Sequence, residues 1–116
     1  MARTLIRKES ALKDYLTVVA RLPRIDALAQ ERLAQRLLAG EAAAGLQLME
    51  SFLPLVVAEA ALRRGLGLRF EALIAAGNRG LVLALKEEAP GLQARVRRSV
   101  RAGLREAMAQ GARRKD

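Results

Sequence analysis

At 116 residues the chain is long enough for one domain with a modest core, and its 52% apolar content marks a folded globule rather than a disordered chain. The absence of Cys and His excludes disulfides, Cys/His metal sites and the usual nucleophile–base pairs. A net charge of +9, with Arg far outnumbering Lys, favours a polyanionic partner, for which DNA or RNA is the usual candidate.

The only aromatics are Tyr15, Phe52 and Phe70. A core built from Leu, Ala and Val suits packed helices better than sheets, so the expected fold is all-α, a compact multi-helix bundle in a single domain over residues 1–116. The basic start, MARTLIRKES, lacks the long apolar stretch and cleavage site of a signal peptide. No apolar run reaches the roughly 18 residues that a membrane span needs. The expected location is therefore the cytoplasm.

Residues 1–9 are expected to fray, with Ser10 capping a first helix that carries Leu12, Tyr15, Leu16 and Val19 on one face. Pro23 stops it. Asp26 is a good N-cap for a second helix, which presents Leu33, Leu37 and Leu38 and ends at Gly40. A third helical stretch runs from Glu41 to Arg64, with Ala44, Leu48, Phe52, Leu55 and Val56 roughly along one face. Pro54 falls inside it. An interior Pro costs about 3 kcal/mol, which predicts a kink or a restart there.

Gly65 and Gly67 end this stretch, and a fourth helix is expected from Phe70 to Glu88. It contains Gly77 and Gly80, three apart and so on one face. Each Gly costs about 1 kcal/mol against Ala in a helix interior, which points to close approach of another helix as the compensation. Asn78 between them reads as a buried or interfacial hydrogen-bonding residue. Pro90–Gly91 breaks the chain.

The last helix, Leu92 to Gln110, has Leu92, Val96, Val100, Leu104 and Met108 at spacings of four. Arg95, Arg97, Arg98, Arg101 and Arg105 surround that stripe and form the expected DNA-facing set. Residues 111–116, GARRKD, are expected to fray. With no aromatics among these arginines, contact with DNA would be mostly electrostatic and weakly specific. Carboxylates are scattered, and Glu87–Glu88 reads as a solvated helix end. No catalytic site assembles, and no cofactor, metal or small-molecule substrate is expected.

Tyr15–Leu16 and Pro23, then Leu33–Ala34, Leu37 and Gly40–Glu41, follow the patterns YL…P and LA..I..GD. Leu48, Leu53, Leu55-Val56-Val57 and Ala60 follow L….NLRLVV.IA, or its HLPLV variant with a Pro where Pro54 stands. Gly65, Gly67-Leu68 and Phe70 follow G.GL.F. Leu73-Ile74, Gly77-Asn78, Gly80-Leu81 and Ala84 follow LIQEGN.GL..A. This ordered set, without gaps over roughly residues 12 to 90, resembles the core-binding domain of the bacterial RNA polymerase sigma factor family.

The resemblance implies a helical domain that grips the clamp helices of core RNA polymerase, with Leu73, Asn78 and Arg79 as the expected polymerase-binding residues. The acidic and amide residues that make this contact in the family correspond to Ala72, Ala75 and Ala76. Arg79 adds a charge where an apolar residue is usual. The promoter-melting segment FSTYA.WWI falls on Val96 to Leu104, VRRSVRAGL, where no aromatic remains to stack on flipped bases. The resemblance thus implies a divergent, shortened transcription protein associating with polymerase, promoter DNA or both, without promoter melting. Two alternatives stand beside it. One is a helical module that regulates transcription by contacting a sigma factor or polymerase without DNA, through the neutral patch at Ala72, Ala75, Ala76, Leu83 and Leu85. The other is a nonspecific, arginine-driven nucleic-acid binder.

Overall fold

Five helices and no strand make up the described residues of the computed structural model, which covers the backbone of residues 2–114 and the side chains of residues 10–113. They are α1 (Ala2–Arg21), α2 (Ala27–Leu38), α3 (Ala42–Ala61), α4 (Phe70–Leu85) and α5 (Leu92–Arg114). They pack as a bundle with overall dimensions of 46 × 30 × 22 Å.

The first helix starts well ahead of the expected cap. Ser10 lies inside α1, which begins at Ala2, so it caps nothing. The expected apolar face holds: Val19 is buried, and Leu12, Tyr15 and Leu16 pack partly buried against the core. Asp26 caps α2 as its residue type predicts. Its carboxylate accepts the Ala29 N–H at 2.8 Å, satisfying one of the orphan donors of the first turn. Of the leucines expected on its inner face, Leu33 is buried and Leu37 half-buried, but Leu38 lies 53% exposed. Gly40 turns the chain into α3 at φ +101°, a conformation that costs glycine little and other residues much.

α3 is continuous through Pro54, so the expected restart is absent. Proline cannot donate to the Glu50 carbonyl four residues back, yet the helix carries on because its buried face continues unbroken. That face is Ala44, Leu48, Phe52, Val56 and Ala60. By length and composition alone α3 could cross a membrane, at 20 residues and a mean hydropathy of 1.2, although polar residues interrupt its apolar run. It is the central helix of the bundle, touching α1, α2, α4 and α5. Glu50 and Glu59 both lie within it.

α4 ends at Leu85, a turn earlier than expected, and packs antiparallel to α5 across the tightest interface in the molecule. Small residues make this possible. A Cβ built on Gly80 would fall on the Ser99 carbonyl oxygen and within 3.0 Å of the Val100 Cα. One built on Gly103 would sit 2.7 Å from the Ala76 carbonyl oxygen. The Ser99 hydroxyl donates to the Gly80 carbonyl at 2.6 Å across the same contact. The compensation expected for the helix-interior glycines is thus close helix approach. On α5, Leu92, Val96, Val100 and Leu104 are buried and Met108 is partly buried, as their spacing predicts. α5 continues beyond Gln110 to Arg114, so residues 111–114 are helical; Lys115 and Asp116 lie outside the described residues.

Candidate functional site

Helical geometry divides the five arginines of α5 into different environments. At about 100° per residue, Arg97, Arg98, Arg101 and Arg105 share an arc of about 100° on the outer face, whereas Arg95 falls between that arc and the apolar stripe, about 60° from Leu92. The structure follows this division. Arg95 is 7% exposed and turned inward. Its guanidinium donates to the carbonyls of Ala84 at 3.2 Å, Glu87 at 3.1 Å and Pro90 at 3.2 Å, and also to that of Ala89. The turn after α4 leaves carbonyls without helical partners, and Arg95 supplies their donors while adding a second to the Ala84 carbonyl, which also accepts the Glu87 N–H. Arg95 is therefore a cap for the α4–α5 connection and leaves the DNA-facing set.

Arg97, Arg98 and Arg105 are exposed. Among the described residues, no carboxylate lies within ion-pair distance of them. Arg101 is partly exposed and committed to α3. It donates through Nε to Glu59 Oε1 at 3.0 Å and through Nη2 to Oε2 at 3.2 Å, a two-bonded fork on a buried carboxylate. Arg63 also donates to Glu59, through Nη1 to Oε1 at 3.2 Å and to the Glu59 carbonyl at 2.8 Å. The hydrogen bond from Arg101 holds the Glu59 carboxyl below its ordinary value against the opposing effect of burial, with Arg63 adding to it. Arg64, next along, stacks its guanidinium over the Phe70 ring at 4.5 Å from the centroid. No pattern in the α5 stripe signals Glu59, Arg63 or Arg64, because the pairing spans 42 residues of sequence.

The three residues expected to contact polymerase do not form one surface. Leu73 is buried in the core at 1% exposure and is unavailable to a partner. Asn78 points toward α1, where its Nδ2 donates to the Tyr15 hydroxyl at 3.4 Å. Its Oδ1 is buried without a hydrogen-bond partner among the described residues. Arg79 is exposed, beside the α5 residues Ser99 and Gly103.

The neutral patch also divides. Ala76 is buried beneath Gly103, Leu85 is half-buried, and Leu83 is exposed. Ala72 and Ala75 are exposed and line an apolar groove of about 590 Å³ between α1 and α4, together with Leu12, Tyr15, Ile74 and Asn78.

No protein-family model matches the chain, and no curated protein matches it.

Proposed function

We propose that this is a sigma-factor-like, non-catalytic transcription protein of the cytoplasm that associates with RNA polymerase, promoter DNA or both. It does so without melting promoters. The observation that carries the reading is the outer face of α5, where Arg97, Arg98 and Arg105 stand exposed, with no carboxylate partner among the described residues, on a helix anchored by its opposite, buried face. Such a face suits a phosphate backbone, with each arginine neutralising one phosphate and releasing its counterions. The ordered sigma-like pattern supports the polymerase half of the reading. Its elements carry distinct packing roles: Gly40 turns into α3, and Gly77 and Gly80 lie in close helix contacts.

With Leu73 in the core, the polymerase-facing residues reduce to Asn78 and Arg79 beside Ala72 and Ala75. The first test is binding to core RNA polymerase with and without a competing housekeeping sigma factor. Binding that the sigma factor displaces is the expected result. Loss of both polymerase association and duplex-DNA binding at physiological salt would remove the reading. The DNA half has its own test. Replacing Arg97, Arg98 and Arg105 with Ala should lower the salt slope of duplex binding by about 1 per lost phosphate contact, and an unchanged slope would rule α5 out.

One observation favours a second reading, a module that contacts a sigma factor or polymerase without DNA. The groove between α1 and α4 is lined mainly by apolar residues and carries the Asn78 Oδ1, unpartnered among the described residues. In that case polymerase or sigma-factor binding would survive the loss of the α5 arginines. Binding to any duplex with no polymerase association would instead indicate a nonspecific nucleic-acid binder.

A further inference from the structure

α3 and α5 run side by side, but α5 is the longer. Beyond the end of α3, the segment 62–69 lies along α5, and a Cβ on Gly111 would meet the Leu68 side chain at 2.8 Å. At the crossing point, Glu59 binds two guanidinium groups from different elements, Arg63 near the α3 end and Arg101 on α5. One carboxylate neutralises one of them, so the group keeps a positive charge. Both arginines are immobilised through part of their hydrogen-bonding capacity. Arg101 uses Nε and Nη2 and is 46% exposed, so the rest of its five N–H donors remain for another acceptor. Arg97 and Arg105 lie one turn to either side of it on α5, and Arg64 is braced over Phe70. Among the described residues, Glu59 is the only carboxylate within ion-pair distance of any of these arginines.

We propose that the phosphodiester backbone of duplex DNA is gripped by two elements together, the outer arginines of α5 and Arg63 at the end of α3. Glu59 is the positioning residue that holds Arg63 and Arg101 ready. The inference rests on the reading that α5 binds DNA. It extends the contact to the turn that follows α3 and gives the buried carboxylate a role. Arg97 to Arg105 spans about 12 Å along α5, equal to the axial rise of three to four nucleotides of one strand at about 3.4 Å each. Arginines fixed in a planar fork lose less freedom on meeting a phosphate than free ones.

The test is fluorescence anisotropy of a labelled duplex of arbitrary sequence titrated with the full chain over a range of salt. Arg63→Ala should lower the salt slope by about 1. Arg36→Ala removes the same charge from the last turn of α2, where Arg36 pairs with Glu41 at the opposite end of α3, and should leave the slope unchanged. Glu59→Gln separates positioning from simple charge. Removing a carboxylate should tighten binding if only net charge matters, whereas loss of positioning should weaken it severalfold. Circular dichroism of each variant verifies that it is folded, and Arg63→Ala alone decides the question if Glu59→Gln does not fold. If Arg63→Ala behaves like Arg36→Ala while the α5 triple variant loses affinity, the two-element grip is overturned and the α5 reading stands. If the unaltered chain binds no duplex, both fall.

Discussion

Arg95 and Glu59 are the two charged side chains whose roles depend most on burial. Arg95 donates to carbonyls at the end of α4 and in the following turn, and a hydrogen bond of this kind contributes about 0.5–1.5 kcal/mol net. Arg95→Ala is therefore expected to destabilise the fold by at least that amount in chemical denaturation. Arg95→Lys should recover only part of the loss, because an ammonium cannot span the same carbonyls as a planar fork. Glu59 makes a pH prediction with a definite sign. Its folded-state pKa lies below the ordinary value of 4.5, so its pairing contributes stability above that pH. That contribution is lost as pH falls through the folded value. Denaturation midpoints should therefore drop on acidification below pH 4.5, and Glu59→Gln should flatten that part of the curve. An equally steep curve in the variant would show that other carboxylates dominate the acid response.

Among the helices, α4 and α5 set the geometry of everything else. Gly80→Ala is a sensitive test of their interface. On helix propensity alone the change would stabilise by about 1 kcal/mol. Here the added methyl group meets the Ser99 main chain, which cannot rotate aside as a flexible side chain would. Overpacking of this kind costs about 1–3 kcal/mol, so net destabilisation is expected, together with a lowered melting temperature. A more stable variant would mean that the helices separate without cost. The glycine pair was legible in the sequence because propensity made it anomalous. The course of α3 through Pro54 was less so. Local chemistry favours a break there, and the buried stripe from Ala44 to Ala60 overrides it.

For the molecule as a whole, the all-helical architecture was legible because apolar residues recur at helical spacing and aromatics are few. The division of the arginines was only partly so. Arg95 could have been separated from its neighbours by its place at the edge of the apolar stripe, about 60° from Leu92, close behind a Pro–Gly turn. The contact of Arg101 with Glu59 had no local signature, since it joins helices distant in sequence. The same limit applies to Leu73, whose place in the motif gives no indication that it points into the core. At this scale the net charge of +9 becomes a directional property. Arg97, Arg98, Arg101 and Arg105 gather on one outer face of α5, while Arg36 in the last turn of α2 is paired with Glu41.

The tight interface between α4 and α5 also bears on the order in which the chain can be assembled during synthesis. These helices are joined by the short segment Lys86–Gly91, so closing them together requires little loop entropy. They also leave the ribosome after α3, whose buried face includes Val56 and Ala60. Until α4 and α5 follow, that apolar stripe has only α1 and α2 to lie against, and Glu59 has Arg63 but no Arg101. The central helix of the bundle must therefore wait, partly uncovered, for the hairpin that completes it.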